Sequence, residues 1–281
     1  MGNASSIGFL HPGAMGVSLA ASAIASGCRA VWFPAGRSDA TRERADEHGL
    51  EACESLKAMC GSCDVIVSIC PPAAADDVAD QVIACGYKGT FVDANAVSPM
   101  RARAIAQRVN ANGASYVDGS VIGGPAWTKD ETVLYLSGLG ADRVAGYFAD
   151  GLLMVRVIGE EVDRASALKM CYAAFTKGST AMLCAVIGAA HQLGVDEALR
   201  KQWAMDEPGS DDMRYNRVRR VTQKAWRFEG EMHEIAQTLA SVGMPSGFHE
   251  AAAEVYARFA GLKGRDEMPE LGEVLSRLGG A

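Results

Sequence analysis

The chain lacks any unbroken apolar run of the roughly 18 residues that a membrane span needs. Its start lacks the basic stretch, apolar segment and small-residue cleavage site of a secretory signal, because the apolar residues from Ile7 onward follow a strand pattern. A cytoplasmic protein with no membrane partner is expected. Basic residues are the minority, 27 Lys and Arg against 34 Asp and Glu for a net charge of −7. That balance argues against nucleic acid as the main partner, which would need a clustered basic surface. The C-x-x-C of Cys60 and Cys63 has neither a second pair nor a histidine cluster to complete a tetrahedral zinc site, so no metal is expected. It also precedes a strand instead of opening a helix. A Ser-His-Asp hydrolase is excluded in its common form by the absence of G-x-S-x-G. Internal repeats and low-complexity segments are absent too. The eight cysteines, without an export signal, read as reduced, buried small hydrophobes.

What is present is the composition of an ordinary globular protein, 49% hydrophobic and 22% charged, in 281 residues, long enough for two domains. Short β-branched runs at 5–10, 30–33, 65–69, 90–93, 115–118, 133–137 and 154–157 alternate with Ala-rich segments beginning near Ala14, Thr41, Ala74, Met100 and Asp142. This is the signature of successive βα units on a mainly parallel, doubly wound sheet, an α/β Rossmann domain. Beyond Gly159 no convincing strand remains, and 162–191 reads as one long proline-free helix. The expected organisation is a nucleotide-binding domain over 1–159 and an all-α domain over 160–281. In the latter, breaks fall at Gly194, Pro208–Gly209, 243–247 and 261–264. A helix of about 30 residues exceeds the usual globular length, which favours burial against another domain or a second subunit. A homo-oligomer, most simply a homodimer, is expected.

The first strand runs into His11-Pro12-Gly13-Ala14-Met15-Gly16, with Gly8 and Leu10 just before, and an Ala/Ser-rich helix follows. Gly13 lets a pyrophosphate approach the backbone, Gly16 lets the helix pack on the strand, and N–H groups at the helix start face the anion. His11 replaces the first glycine of G-x-G-x-x-G, so the strand before and the helix after carry the assignment. His11 itself reads as a loop-shaping group or cofactor contact. At the end of the second strand an NAD enzyme usually has Asp or Glu, whereas Phe33 is followed by Pro34-Ala35-Gly36-Arg37-Ser38. Arg37, Ser38 and Arg42 suit a 2′-phosphate, which predicts NADP(H) as cofactor; NAD held through Asp39 is the alternative.

Together these residues resemble the β-hydroxyacid dehydrogenase superfamily, which includes the 6-phosphogluconate dehydrogenase type, and in particular a branch with a His-Pro-Gly-x-Met-Gly loop. The resemblance covers nearly the whole chain. Cys70-Pro71-Pro72 resembles the family's loop beside the adenosine, and Asp93-Ala94-Asn95-Ala96-Val97-Ser98-Pro99 its loop near the nicotinamide. Asp118-Gly119-Ser120-Val121-Ile122-Gly123-Gly124 resembles its substrate loop, and Lys169 falls where the family has its catalytic lysine. The resemblance implies hydride transfer between a nicotinamide cofactor and a small carbonyl or alcohol substrate. Three departures bear on the substrate: Ile122 stands where the family commonly has serine, Ala173 where it has asparagine, and no lysine appears around 228–231. They favour a bulkier substrate or one without the familiar carboxylate. An imine reductase on the same fold and a dinucleotide-binding protein without catalysis are the alternatives.

Without any family, the long helix carries a polar stripe of Lys169, Tyr172, Thr176 and Thr180 at i, i+3, i+7 and i+11. Facing a cleft, Lys169 would act as general acid/base. Otherwise it is a snorkelling surface lysine, with the threonines bonded to their own helix. Lys177 beside it is an anion contact or a solvent-exposed lysine. Asn95 and Ser120 are either orienting groups or loop caps. The Arg214, Arg217, Arg219, Arg220, Lys224 and Arg227 segment is a solvated helix face, a wall for an anionic substrate, or a nucleic-acid patch. The remaining histidines are isolated from one another and read as structural.

Overall fold

The structure is a computed structural model and describes residues 4–263 and 267–279. Gly264 of the last expected break therefore lies outside the described residues, as do the start of the first expected domain and the end of the second. The chain forms two compact units, one up to Lys169 and one from Met170.

The first unit holds an eight-stranded sheet of β1 (Ser6–Phe9), β2 (Arg29–Trp32), β3 (Glu51–Ala52), β4 (Val65–Ser68), β5 (Thr90–Asp93), β6 (Ser115–Ile122), β7 (Val133–Ser137) and β8 (Met154–Val157). The spatial order is β3-β2-β1-β4-β5-β6-β7-β8, parallel throughout except for the antiparallel β6–β7 pair. This is the doubly wound order, and it reverses between β1 and β4. The strand faces explain the burial. Ile7, Phe9, Val65, Val67 and Val92 enter one apolar cluster with Val17 and Leu19 of α1 (Ala14–Ala25) and Val144 of α6 (Ala141–Gly146). Val31, Ile66 and Phe91 enter another with Met59 of α3 (Leu56–Ser62), Val78 of α4 (Ala75–Ala84) and Ile105 of α5 (Pro99–Ala111). Period-two alternation thus feeds both faces of a sheet covered on both sides. The remaining helix of this unit, α2 (Asp39–Glu47), starts after Ser38.

Two differences from the sequence expectation have identifiable causes. The short β3 and α3 fall between the expected elements; α3 is opened by Ser55, whose Oγ accepts from Ala58 N at 3.0 Å, an N-cap in a segment with little periodicity. β6 runs four residues past its expected end, because β7 pairs with it from Asp118↔Ser137 to Ile122↔Val133. Most of the expected substrate loop is therefore strand, and Gly123–Gly124 is what leaves it.

The helix α7 (Arg164–Gln192) begins in the first unit and continues through the second. It is the one described helix long and apolar enough to cross a bilayer, by length and composition alone. Core helices of globular proteins pass the same test, and α7 carries an ion pair at Lys177. The second unit adds α8 (Asp196–Asp206), α9 (Ser210–Val221), α10 (Ala225–Ser241), α11 (Gly247–Ala257) and α12 (Leu271–Leu278). A Cβ on Gly178 would lie 2.8 Å from His249 Nε2, and one on Gly188 2.9 Å from Leu278 Cβ, so these glycines admit α11 and α12 against α7. One break was not anticipated. At 222–224 a helix ends without Gly or Pro, where Thr222 Oγ donates to the Arg219 carbonyl at 2.6 Å and competes with helix continuation.

Candidate functional site

The sheet order places the turns after β1 and β4 on either side of the reversal, the place where open α/β sheets bind ligands. The β1 turn is tight: Gly13 N–H donates to the His11 carbonyl at 2.8 Å. A Cβ on Gly16 would stand 2.2 Å from that carbonyl oxygen, whereas one on Gly13 would meet open space. Gly16 thus closes the loop and Gly13 leaves it accessible. Helix α1 has no side-chain cap and no acid in its first turn, so Ala14 and Met15 begin a positively polarised end with no anion of its own. Pro12 is buried within the turn, and Gly8 sits in mid-strand, where a Cβ would strike Met59 Sδ at 2.7 Å. Gly8 is therefore a packing position for α3.

Arg37 reaches back from the turn after β2 and donates through Nη2 to the Leu10 carbonyl at 3.1 Å. Its buried Nε has no hydrogen-bond partner among the described residues, nor has His11 Nδ1. Burial, with the Arg37 charge as a second cause, lowers the His11 pKa to about 4, so the imidazole is neutral at pH 7. Ser38 precedes α2 and its Oγ lies 3.0 Å from Thr41 Oγ1. Arg42 lies half-buried in the same first turn. Arg44 was not singled out in the sequence, yet its Nη1 donates to the Pro12 carbonyl at 3.5 Å. Two guanidinium groups thus hang on the backbone of one glycine-containing turn. A guanidinium N–H and an imidazole nitrogen without partners among the described residues, an open Gly13 and an uncapped helix end fit a dinucleotide phosphate group.

Across the reversal, Asn95 binds the β4 and β5 turns together. Its Oδ1 accepts from Cys70 N at 2.5 Å, and its Nδ2 donates to Ser68 Oγ at 3.0 Å and Asp93 Oδ1 at 2.6 Å. With its amide spent in this way, Asn95 shapes the loop that carries Cys70 and Pro71. Asp93 is fully buried, and desolvation raises its pKa to about 6 against the hydrogen bonds from Asn95 and Tyr116. Burial likewise pushes the Cys70 thiol to about 11, Cys63 to about 11 and Cys60 to about 12, which keeps them protonated and unreactive. All eight cysteines are free thiols, and no group of three or more His, Cys, Asp or Glu side chains suits a metal ion among the described residues.

The third cluster lies at β6. Asp118, with none of its surface exposed, accepts from Ser166 N at 2.8 Å, Ser166 Oγ at 2.6 Å and Ser137 Oγ at 3.3 Å. Ser137 Oγ in turn accepts from Ala165 N at 3.0 Å. These bonds satisfy the first N–H groups of α7 and dock its start on the sheet. Burial raises the Asp118 pKa to about 8. Lys169 lies one turn beyond Ser166, and its Nζ donates to the Val121 carbonyl at 2.6 Å. Ser120 and Ile122 flank that carbonyl in β6; Ser120 Oγ is buried with no hydrogen-bond partner among the described residues. Gly123 has φ +127°, where a side chain would strike Glu131 O at 2.7 Å, and a Cβ on Gly124 would meet open space. The ammonium is thereby fixed beside the exit of β6. Sequence spacing alone does not reveal Asp118 and Ser166 as the device that sets it, since they are 48 residues apart.

The stripe does not continue as one functional face. In the second unit Tyr172 is half exposed, Thr176 Oγ donates to its own helix at Tyr172 O (3.0 Å), and Thr180 Oγ to Thr176 O (2.8 Å). That is helix back-bonding. Lys177 is neither an open anion contact nor solvent-exposed. It forms an ion pair with Glu231 and lies 4.2 Å from the centre of the Phe228 ring. Burial lowers its pKa, opposed by Glu231.

Comparison with known proteins agrees with this architecture. The NAD-binding domain of 6-phosphogluconate dehydrogenase matches residues 6–146, and a domain of unknown function, DUF1932, matches residues 190–259. An uncharacterised 28.5 kDa protein from Methanothermus fervidus is 32% identical over 165 residues, which cover 58% of this chain and 63% of that protein. The chain thus spans under two thirds of that relative's length. A solved conserved protein, described as structurally similar to 3-hydroxyacid dehydrogenases, is 26% identical with TM-score 0.67, over 92% of this chain and 98% of its own. Mycobacterium tuberculosis 3-hydroxyisobutyrate dehydrogenase shares the fold at 18% identity and TM-score 0.71, covering 98% and 99% of the two chains. An imine reductase from Myxococcus stipitatus, solved with NADP+, does so at 18% and TM-score 0.59 over 97% and 99%. With half of its length matched by that nucleotide domain, the chain belongs to the family of the NAD-binding domain of 6-phosphogluconate dehydrogenase.

Proposed function

We propose that the protein is an NADP(H)-dependent oxidoreductase that moves a hydride to or from a carbonyl or alcohol carbon, with Lys169 as general acid/base. The observation that carries the reading is the placement of Lys169 Nζ, 2.6 Å from the Val121 carbonyl at the exit of β6, by a helix start that Asp118 locks to the sheet. The dinucleotide would be held by the Gly13 turn, the α1 N-terminus, Arg37 and Ser38, and it supplies or accepts the hydride. In reduction Lys169 gives its proton to the substrate oxygen as that oxygen gains charge; in oxidation it takes the hydroxyl proton. Ser120, Ile122, Gly123 and Gly124 shape the substrate end, with Gly124 leaving backbone exposed. The test is Lys169→Met: NADPH binding retained with turnover lowered by about 10²- to 10⁴-fold agrees with the role. Near-normal turnover would remove Lys169 from the chemistry, and binding without turnover on any substrate in the unmutated protein would leave a nucleotide-binding protein.

Ile122 favours a second reading, reduction of an imine, because it puts an apolar side chain where a dehydrogenase of this resemblance has a hydroxyl. The same NADPH assay run on a cyclic imine and on a 3-oxo acid separates the two. We further propose a cytoplasmic homodimer. It is supported by an apolar groove of 710 Å³ between α7 and α11, around which Phe175, Met182 and Phe248 are exposed.

A further inference from the structure

The basic segment of α9 divides by partner. Arg214 pairs with Glu207, Arg219 reaches Glu270, and Arg200 of α8 pairs with Asp211 and Asp212. Arg217 and Arg220 have no carboxylate partner among the described residues, and being i and i+3 they share one face of the helix. That face lines a cavity of 430 Å³ between α7 and α9, with Thr180, Met213, Asn216 and Val221 as its other walls. Arg217 is held in place: Nε donates to Thr180 Oγ1 at 2.8 Å, and Nη2 to Ser179 Oγ at 2.7 Å and the Thr176 carbonyl at 2.9 Å. All three acceptors are neutral, so the charge is positioned but not neutralised, and Nη1 makes no hydrogen bond among the described residues.

We propose that this cavity is a binding site for a phosphate monoester dianion, with Nη1 of Arg217 and the guanidinium of Arg220 as its two charge-assisted donors and the Asn216 amide as a neutral one. Two charges on one face, that of Arg217 held in place and that of Arg220 exposed, match a dianion. The planar guanidinium fork matches phosphate oxygens, and bonds of this kind are about twice as strong as neutral ones. A cavity of this size accommodates a small monoester. The order imposed on Arg217 by α7 removes most of the entropy that a free surface arginine would lose on binding. The site lies wholly within the helical unit, and the inference goes beyond the oxidoreductase reading, standing or falling independently of it.

The test is residue-resolved arginine modification of the full chain with phenylglyoxal, followed by mass spectrometry, with inorganic phosphate as the probe. Phosphate is expected to slow modification of Arg217 and Arg220 together with one saturation curve, while Arg200 reacts at an unchanged rate. Arg220→Gln, a change at an exposed side chain, is expected to raise the phosphate concentration that half-protects Arg217 by about tenfold. Reading each arginine separately keeps phosphate bound at Arg37 out of the measurement. Unchanged rates at Arg217 and Arg220 would overturn the proposal. So would equal protection by acetate at matched ionic strength, which would mean screening or a carboxylate site, or a half-protecting concentration unmoved by Arg220→Gln.

Discussion

At the scale of single residues, Gly16 and Arg37 shape the turn after β1 in different ways. Gly16→Ala would bring a methyl group to 2.2 Å from the His11 carbonyl oxygen, and backbone cannot yield as a flexible side chain does. The expected outcome is a loss of about 1–3 kcal/mol in stability and of dinucleotide affinity, measured by urea unfolding and by NADPH fluorescence titration. Gly13→Ala meets nothing within 4 Å in the protein, so it should leave stability nearly unchanged and weaken only the dinucleotide. For Arg37→Gln the expectation is selective: NADPH affinity falls by about 10- to 100-fold while NADH affinity changes little, because only the former carries the 2′-phosphate. Equal losses for both would assign Arg37 to the turn alone, through its bond to Leu10.

At the scale of elements, the start of α7 rests on the buried carboxyl of Asp118, which accepts from Ser166 and Ser137. An ordinary aspartate titrates near 3.9, whereas burial raises Asp118 to about 8 in the folded protein. Between those values the folded chain keeps a proton that the unfolded chain has lost, so stability falls as pH rises through this window. Asp93, raised to about 6, adds the same sign between about 4 and 6. His11 acts oppositely: lowered to about 4 from an ordinary value near 6.5, it makes stability rise over that interval. Above about pH 6.5 only Asp118 of these three still titrates differently in the two states. Urea unfolding at pH 6.5 and 8 should therefore show lower stability at pH 8, and Asp118→Asn should flatten the difference. A slope unchanged in that variant would place the titrating group elsewhere.

For the molecule as a whole, the groove between α7 and α11 is a predominantly apolar opening of the helical unit. Phe175 is 77% exposed and Phe248 69%, on a patch that pairs protrusions with small residues such as Ala174, Gly178 and Ala181. A patch with knobs and holes on one surface is suited to a twofold copy of itself. Phe248→Glu is expected to shift the protein toward monomer in light scattering after size exclusion, with the far-ultraviolet circular dichroism retained. A single mass for both proteins would refute the dimer through this face.

What the sequence determined by itself is what local chemistry decides. Short β-branched runs specified seven of the eight strands, because strands buried on both sheet faces are apolar throughout, and the spacing of Gly13 and Gly16 after a strand specified a tight strand-to-helix turn. The segment after β2 set Arg37 in the turn beside β1, and a proline-free run specified α7. Tertiary structure alone decided the rest, because long-range pairing carries no local signal. It lengthened β6 by pairing it with β7, turned the Asn95 amide inward to tie two loops, and brought Asp118 to Ser166 so that Lys169 is placed. It also separated the stripe of α7 into one lysine on the sheet, another in an ion pair, and threonines bonded to their own helix. A polar side chain on a helix is legible from spacing, but the group that satisfies it is set by whatever the fold packs alongside.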